Sequence, residues 1–309
     1  MDRRQLKHFA LRAGLTVLSL TVAAMALRVA LRGLDWPLFA SRVRLLDWRW
    51  LAVAVFFDVL SYGAQGWRWR FLLDGSNVWQ TTRAIYAGLF VNEILPLRPG
   101  EVLRGWLAAR DLNTGIWKVV PTMVSERLLD GFWLVAALLG AVWLAPLPRS
   151  VAHGIWIACA IAGTLILVIQ WLGGRGGAFL QTVIAGFRNR RAVLLSAAFV
   201  LAQGLAFWAV TRASHLSLGL LGAFVVMIVV RIGTLIPGAP ANLGTHQFAT
   251  VMGLSLYGIP HAEAAAFSLV VFTVLTLPLL ALGFGACVSA GVTWRGVRQL
   301  ARQRDVEIA

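Results

Sequence analysis

Three groups of ionisable and helix-breaking residues in this 309-residue chain carry types and spacings that could do chemistry. The first is Asn92-Glu93-Ile94-Leu95-Pro96-Leu97-Arg98-Pro99-Gly100-Glu101-Val102-Leu103-Arg104. A half-helix starting near Gly100 would point unpaired N–H groups and its positive dipole end at the proline turn. Arg98 and Arg104 add fixed charge, and arginine suits bidentate contact with phosphate. A phosphate headgroup is the natural guest; an ordinary loop whose arginines merely meet lipid headgroups is the competing reading. The second group is Ser125-Glu126-Arg127-Leu128-Leu129-Asp130, two to three turns into a long apolar segment. Glu126 and Asp130 are four apart and share a helix face. Either they neutralise Arg127, Arg98 or Arg104 at a working site, or they form a purely structural ion-pair network. The third group is Arg231 with Pro237, Pro240, Asn242, Gly244, Thr245, His246 and Gln247. There Asn242 or Thr245 is expected to cap a returning half-helix, and His246 either meets a headgroup or is simply hydrogen-bonded. Asp58 and Gln65 are weaker interior polar candidates.

The elements that position these residues are set by composition. Hydrophobic residues make up 59% of the chain and charged residues 13%, against roughly a quarter charged in ordinary soluble domains. Apolar runs of about 20 residues recur, the length a helix needs to cross a bilayer. The fold class is therefore all-α, a polytopic transmembrane helical bundle. The net charge of +15 lies beside the apolar runs, which points to lipid headgroups rather than nucleic acid. Cys159 and Cys287 have no metal-ligand spacing and read as packing residues.

Apolar periodicity predicts helices over about 9–31, 50–72, 117–145, 153–172, 192–213 and 263–291, making about six full spans. The first is read as a retained anchor rather than a cleaved signal. Residues 34–49 read as an interfacial helix, and Trp67-Arg68-Trp69-Arg70 as an anchor at headgroup level. Two further apolar segments are broken by proline pairs, one near 82–110 and one near 218–257. Both are expected to be re-entrant hairpins. Thus 1–309 is a single membrane domain, with a first half over 1–172, a polar linker over 173–191 and a second half over 192–309.

Basic residues in alternate loops place both termini on the cytoplasmic side, with Arg32, Arg42, Arg44 and Arg49 as the discordant loop. The two hairpins then enter from opposite faces, the arrangement of an inverted repeat whose interrupted segments mark a transport site.

No metal, nucleotide-sugar or phosphate-loop motif occurs, so no cofactor is expected and ATP-driven pumping by this chain is disfavoured. The ordered series Asn92-Glu93-x-x-Pro96-x-Arg98-x-Gly100-Glu101-x-x-Arg104, Glu126-Arg127-x-x-Asp130 and Ile236-Pro237-Gly238-Ala239-Pro240-x-x-x-Gly244 resembles the flippase-like family of the lysylphosphatidylglycerol synthase transmembrane region. Trp67-Arg68-Trp69-Arg70-x-Leu72-Leu73 is similar to that family's second-helix ending. The resemblance implies an integral plasma-membrane protein that moves or handles lipids, aminoacylated phospholipids and polyprenyl-linked or hopanoid-type lipids among them. Synthase activity is not carried over. Many members have a Glu where this chain has Gln247, which questions any role there that needs a carboxylate. The expected function is translocation or handling of an anionic phospholipid or polyprenyl/hopanoid-type lipid. An intramembrane lipid or sugar-phosphate transferase, and a non-catalytic partner of a membrane-bound glycosyltransferase or synthase, are the alternatives.

Overall fold

The structure is a computed structural model and describes residues 17, 20–32, 34, 36–95, 98–144, 164, 177–234 and 240–292. Every regular element among the described residues is helical. A short helix, α1 (Leu20–Ala30), comes first. It is followed by α2 (Trp36–Arg44), α3 (Trp48–Leu72), α4 (Val78–Ile94), α5 (Gly100–Asp111) and α6 (Ile116–Leu144). The second half holds α7 (Ala178–Arg188), α8 (Arg190–Ala213), α9 (Leu220–Gly233), α10 (Thr245–Ser255) and α11 (His261–Ser289). A single 3-10 turn, Pro240–Asn242, precedes α10. The 153–172 span falls outside the described residues.

Local chemistry explains the boundaries. Asp47 accepts from the Arg49 N–H to start α3. A reciprocal capping box between Asn77 and Gln80 starts α4. Pro99 precedes α5, and Glu101 in its first turn complements the helix dipole. The Asn189 side chain accepts from the Arg191 and Ala192 N–H groups to start α8.

At 1.5 Å per residue, α3, α6, α8 and α11 reach about 36–44 Å, enough to cross a bilayer, while α4, α5, α9 and α10 reach only about 16–26 Å. By composition α8 and α11 are apolar enough to span on their own. α3 and α6 have the length but carry charges in their interiors, among them Arg68, Glu126, Arg127 and Asp130, which pair with one another. Trp117 and Trp143, near opposite ends of α6, are 74% and 78% exposed, as interfacial aromatic anchors would be.

Two sequence expectations change. The 173–191 stretch is not simply a polar linker: α7 occupies 178–188 and packs on α6. Its apolar Phe179, Leu180, Val183, Ile184 and Phe187 follow helical spacing. The Trp67–Arg70 anchor also splits in two. Trp67 is 51% exposed, whereas Arg68 and Trp69 are completely buried.

The two halves repeat. Helices α3–α6 have 25, 17, 12 and 29 residues; α8–α11 have 24, 14, 11 and 29. Packing follows the same correspondence. The hairpin α4–α5 matches α9–α10, α5 on α6 matches α10 on α11, α4 on α11 matches α9 on α6, and α3 on α11 matches α8 on α6. The equivalent helices α3 and α8 share the most extensive contact and run antiparallel. The Asp47 N–H meets the Ala213 carbonyl at 3.1 Å at one end, and Asn189 Nδ2 meets the Phe71 carbonyl at 3.0 Å at the other. Between them Gln203 Nε2 donates to Ser61 Oγ at 3.1 Å. Equivalent helices lying side by side and antiparallel are what an inverted repeat produces.

Candidate functional site

The two proline-broken segments fold as helical hairpins, α4 on α5 and α9 on α10, and their turns meet. In the first hairpin α4 and α5 approach so closely that a Cβ at Gly100 would overlap the Gly88 carbonyl oxygen. The Gly100 N–H, freed by the break, is satisfied by Asn92 Oδ1 at 2.8 Å. In the second hairpin the Gly244 N–H is satisfied by Gln247 Oε1 at 2.7 Å. Gln247 therefore supplies the cap expected of Asn242 or Thr245; Thr245 Oγ1 instead donates to the Asn242 carbonyl at 2.9 Å. The Gln247 amide does here what a carboxylate in its place would do, without the charge.

Arg98 joins the turns. Its backbone lies in the left-handed region at φ 53°, and its guanidinium donates to the Thr234 carbonyl oxygen and, at 3.1 Å, to Asn242 Oδ1. Thr234 is the C-cap of α9, so a cation from one hairpin closes the negative end of the other's helix.

Below that junction six side chains form a closed ring of alternating charge. Arg68 NH2 meets Glu126 Oε1 at 3.0 Å, and Glu126 Oε2 meets Arg104 NH2 at 3.1 Å. Arg104 Nε meets Glu101 Oε2 at 3.0 Å, and the other Glu101 oxygen pairs with Arg127. Arg127 NH1 reaches Asp130 Oδ2 at 3.7 Å, and Asp130 pairs back to Arg68. Three arginines and three carboxylates cancel, which is how charges at membrane depth are tolerated. The ring ties α3, α5 and α6 together. Arg68 also donates to Ser196 Oγ on α8 at 3.0 Å, and Arg104 lies over the Trp69 ring at 5.0 Å. Trp69 is fixed in turn by donating to Thr122 Oγ1 at 3.0 Å.

Two polar chambers flank the junction. One, of about 50 Å³, is lined by Tyr62, Gln65, Asn92, Glu101, Arg104, Arg127 and Arg231, among others. The other, of about 130 Å³, is lined by Asp58, Tyr62, Glu93, Gln203, Arg231, Asn242 and His246, with Phe272 and Thr276 from α11. Tyr62 and Arg231 belong to both. A third space, an open groove of about 330 Å³ between α5 and α6, is walled by Val102, Ile116, Val120 and Met123, with Glu101 and Arg127 among its lining residues.

Of the sequence-stated candidates, Glu101, Arg104, Glu126, Arg127 and Asp130 come together in the ring. Asn92, Gly100, Gly244 and Gln247 build the turns. Glu93, Arg231, Asn242 and His246 line the larger chamber, and Pro240 sits at the second turn, while Pro237 lies outside the described residues. Arg98 and Arg104 both have protein partners. Among the arginines lining the chambers, Arg231 has no ion-pair partner among the described residues; its guanidinium lies over the Phe199 ring at 5.6 Å. Sequence reasoning missed Arg68, whose place in a run of interfacial residue types concealed it. Asp58 belongs in the larger chamber with the stated candidates, and its signal was an acidic residue alone in an apolar span.

Comparison with known proteins agrees with this architecture. Residues 16–283 match the family described as the lysylphosphatidylglycerol synthase TM region. A UPF0104 membrane protein of Methanocaldococcus jannaschii is 24% identical over 197 residues, covering 58% of this chain and 84% of that relative. No solved structure matches the chain.

Proposed function

This chain belongs to the family of the lysylphosphatidylglycerol synthase TM region, a family of membrane proteins in lipid-related processes, and from that premise we propose that it translocates an anionic membrane lipid. Arg231 would hold the headgroup phosphate. The observation that carries this is the pairing pattern: Arg68, Arg104 and Arg127 are committed to carboxylates and Arg98 to the second turn, while Arg231 faces both chambers without a direct ion pair to a described residue. A partly buried guanidinium that faces enclosed polar space without a direct ion pair favours an anionic guest, and its fork suits phosphate oxygens.

The chambers are smaller than the few hundred Å³ that small-molecule sites usually offer. Headgroup passage therefore requires the hairpins to part, and the Arg98 contacts to Thr234 and Asn242 are the ones that would break. The groove between α5 and α6 gives an acyl chain an apolar track beside the ring, so the tails stay in lipid while the headgroup moves inside. The proposal puts the protein in the plasma (inner) membrane, as the family resemblance implies, with cytoplasmic termini as the loop charge asymmetry favours.

The test is reconstitution in liposomes carrying fluorescent phosphatidylglycerol, with leaflet exchange read by a membrane-impermeant quencher. Wild type should exchange the probe, and Arg231→Gln should slow it at least about tenfold, the loss of one charge-assisted contact to phosphate. Exchange in Arg231→Gln equal to wild type, or in wild type equal to protein-free vesicles, overturns the reading.

A further inference from the structure

The larger chamber contains more acid than the headgroup reading uses. Asp58 on α3 and Glu93 on α4 both face it, and neither is ion-paired or hydrogen-bonded through its carboxylate to a described residue. Glu93 Oε2 is buried with no hydrogen-bond partner, and so is His246 Nδ1 on α10. His246 is held edge-on against Phe272 at 5.4 Å, so its position is fixed although its nitrogen is not engaged. The remaining charged or titratable groups are Tyr62 from α3, Arg231 from α9, and Arg98 at the rim beside Asn242. Helices α8 and α11 contribute uncharged residues, Gln203 and Thr276 among them. Arg98 is already engaged by the second turn. Two carboxylates thus share one available cation, Arg231, and that cation also faces the smaller chamber.

We propose that Asp58, Glu93 and His246 form a proton-exchange site, coupled to the headgroup site through Arg231; this rests on the translocation reading above. Arg231 cannot neutralise the carboxylates and an incoming phosphate at once. When a phosphate engages Arg231, the carboxylates lose their counter-cation inside a low-dielectric enclosure, and a proton taken up by Asp58 or Glu93 replaces it. His246 is the neighbouring relay, with an unengaged ring nitrogen facing the same space. When the headgroup leaves, Arg231 returns and the proton is released. Charge balances at each stage: one negative headgroup enters with one proton, and the pair moves no net charge across the bilayer. By linkage, lipid occupancy and proton occupancy must favour each other by the same factor.

Two other spaces carry less. The apolar groove between α5 and α6 serves the path already described. The cleft lined by Phe39, Leu46, Phe267 and Val270, with Arg42 and Glu263 paired at 3.1 Å, has its charges satisfied.

The experiment uses the full chain in phosphatidylcholine vesicles that contain fluorescent phosphatidylglycerol and enclose a pH-reporting dye. Phosphatidylglycerol has no amine, so any cation taken up with it must come from elsewhere. An imposed pH gradient should accelerate transfer of the probe toward the alkaline leaflet about fivefold over the gradient-free rate. The dye should report protons entering with the lipid. In the isosteric variants Asp58→Asn and Glu93→Gln the ratio of the two rates should fall to about one, whatever the absolute rates become. Wild-type exchange that ignores the gradient, with no proton entry, overturns the coupling and leaves the translocase reading intact. Exchange confined to amine-bearing lipids also overturns it, because the carboxylates would then be an ammonium site. No exchange under any condition overturns both.

Discussion

Replacing Glu126 by glutamine removes one negative charge from the centre of the ring without changing the side chain's shape. Glu126 is completely buried, with one oxygen 3.0 Å from Arg68 and the other 3.1 Å from Arg104. At an effective dielectric constant near 20, a pair at that distance attracts by about 5 kcal/mol before desolvation is counted. The substitution leaves two arginines facing an amide, and the ring acquires a net positive charge where it had none. Breaking a buried pair in this way costs about 3–5 kcal/mol, a large share of the roughly 5–15 kcal/mol that typically separates folded from unfolded protein. The companion change Arg68→Gln removes one of the arginines that Glu126 neutralises. The remaining Arg104, Glu101, Arg127 and Asp130 cancel, so the double variant should be less destabilised than the sum of the singles by at least about 1 kcal/mol. The assay is reversible unfolding in mixed micelles for wild type, both singles and the double. A coupling energy below about 0.5 kcal/mol would show that the ring does not behave as one charge-balanced unit. Arg127→Gln is the internal comparison, since that side chain is 51% exposed and should cost about 1 kcal/mol or less.

Three further outcomes follow from the hairpins. Gly100→Ala forces a methyl group into the Gly88 carbonyl and should destabilise by about 1–3 kcal/mol, seen as a lower midpoint in the same unfolding assay; a midpoint equal to wild type would contradict the close approach of α4 and α5. Gln247→Ala leaves the Gly244 N–H without its partner and should cost about 1 kcal/mol, with Gln247→Glu retaining more stability than Gln247→Ala; the reverse order would refute the capping role. Arg98→Ala should loosen the junction between the turns. In a background lacking Cys159 and Cys287, a cysteine introduced by Asn242→Cys should then react with a water-soluble maleimide several-fold faster, and an unchanged rate would remove Arg98 as the tie.

The hairpins were legible because proline leaves a local mark: Pro96 and Pro99, like Pro237 and Pro240, interrupt apolar runs too short to span, whatever the rest of the chain does. Arg231 was legible for a similar reason, as one cation in an otherwise apolar helix. Arg68 was not. Its neighbours Trp67 and Arg70 do face outward, and only the rotation of α3 about its axis, fixed by packing on α8, turns Arg68 toward Glu126 and Asp130. The ring itself joins positions 58 and 62 residues apart across three helices, and no local spacing encodes that. The helix at 178–188 was legible in its apolar spacing but was masked by Gly173, Gly174, Gly176 and Gly177 before it and by arginines after it.

The fold is nearly symmetric and the chemistry is not. Counted from the starts of α6 and α11, Glu126, Arg127 and Asp130 correspond to Val271, Phe272 and Leu275. The carboxylates that bolt α6 to α3 and α5 have apolar counterparts in the second half, where α11 meets α8 and α10 through side chains such as Phe267 on Phe207. An inverted repeat offers two packings of similar energy, each closing one side while the other opens. If the halves were identical in chemistry as well as in shape, neither packing would be preferred. The ring breaks that balance: its three helices cannot separate without exposing opposite charges to lipid, whereas the facing group can shift against apolar surface at little electrostatic cost. Under the translocation reading, movement would therefore concentrate in α9, α10 and α11 against a fixed α3, α5 and α6. The second-half residues Arg231 and His246 ride on the elements that move, while Asp58 and Glu93 stand on α3 and α4. A translocation cycle of that kind would change the distance between Arg231 and the two carboxylates, the quantity on which coupling between lipid and proton would depend.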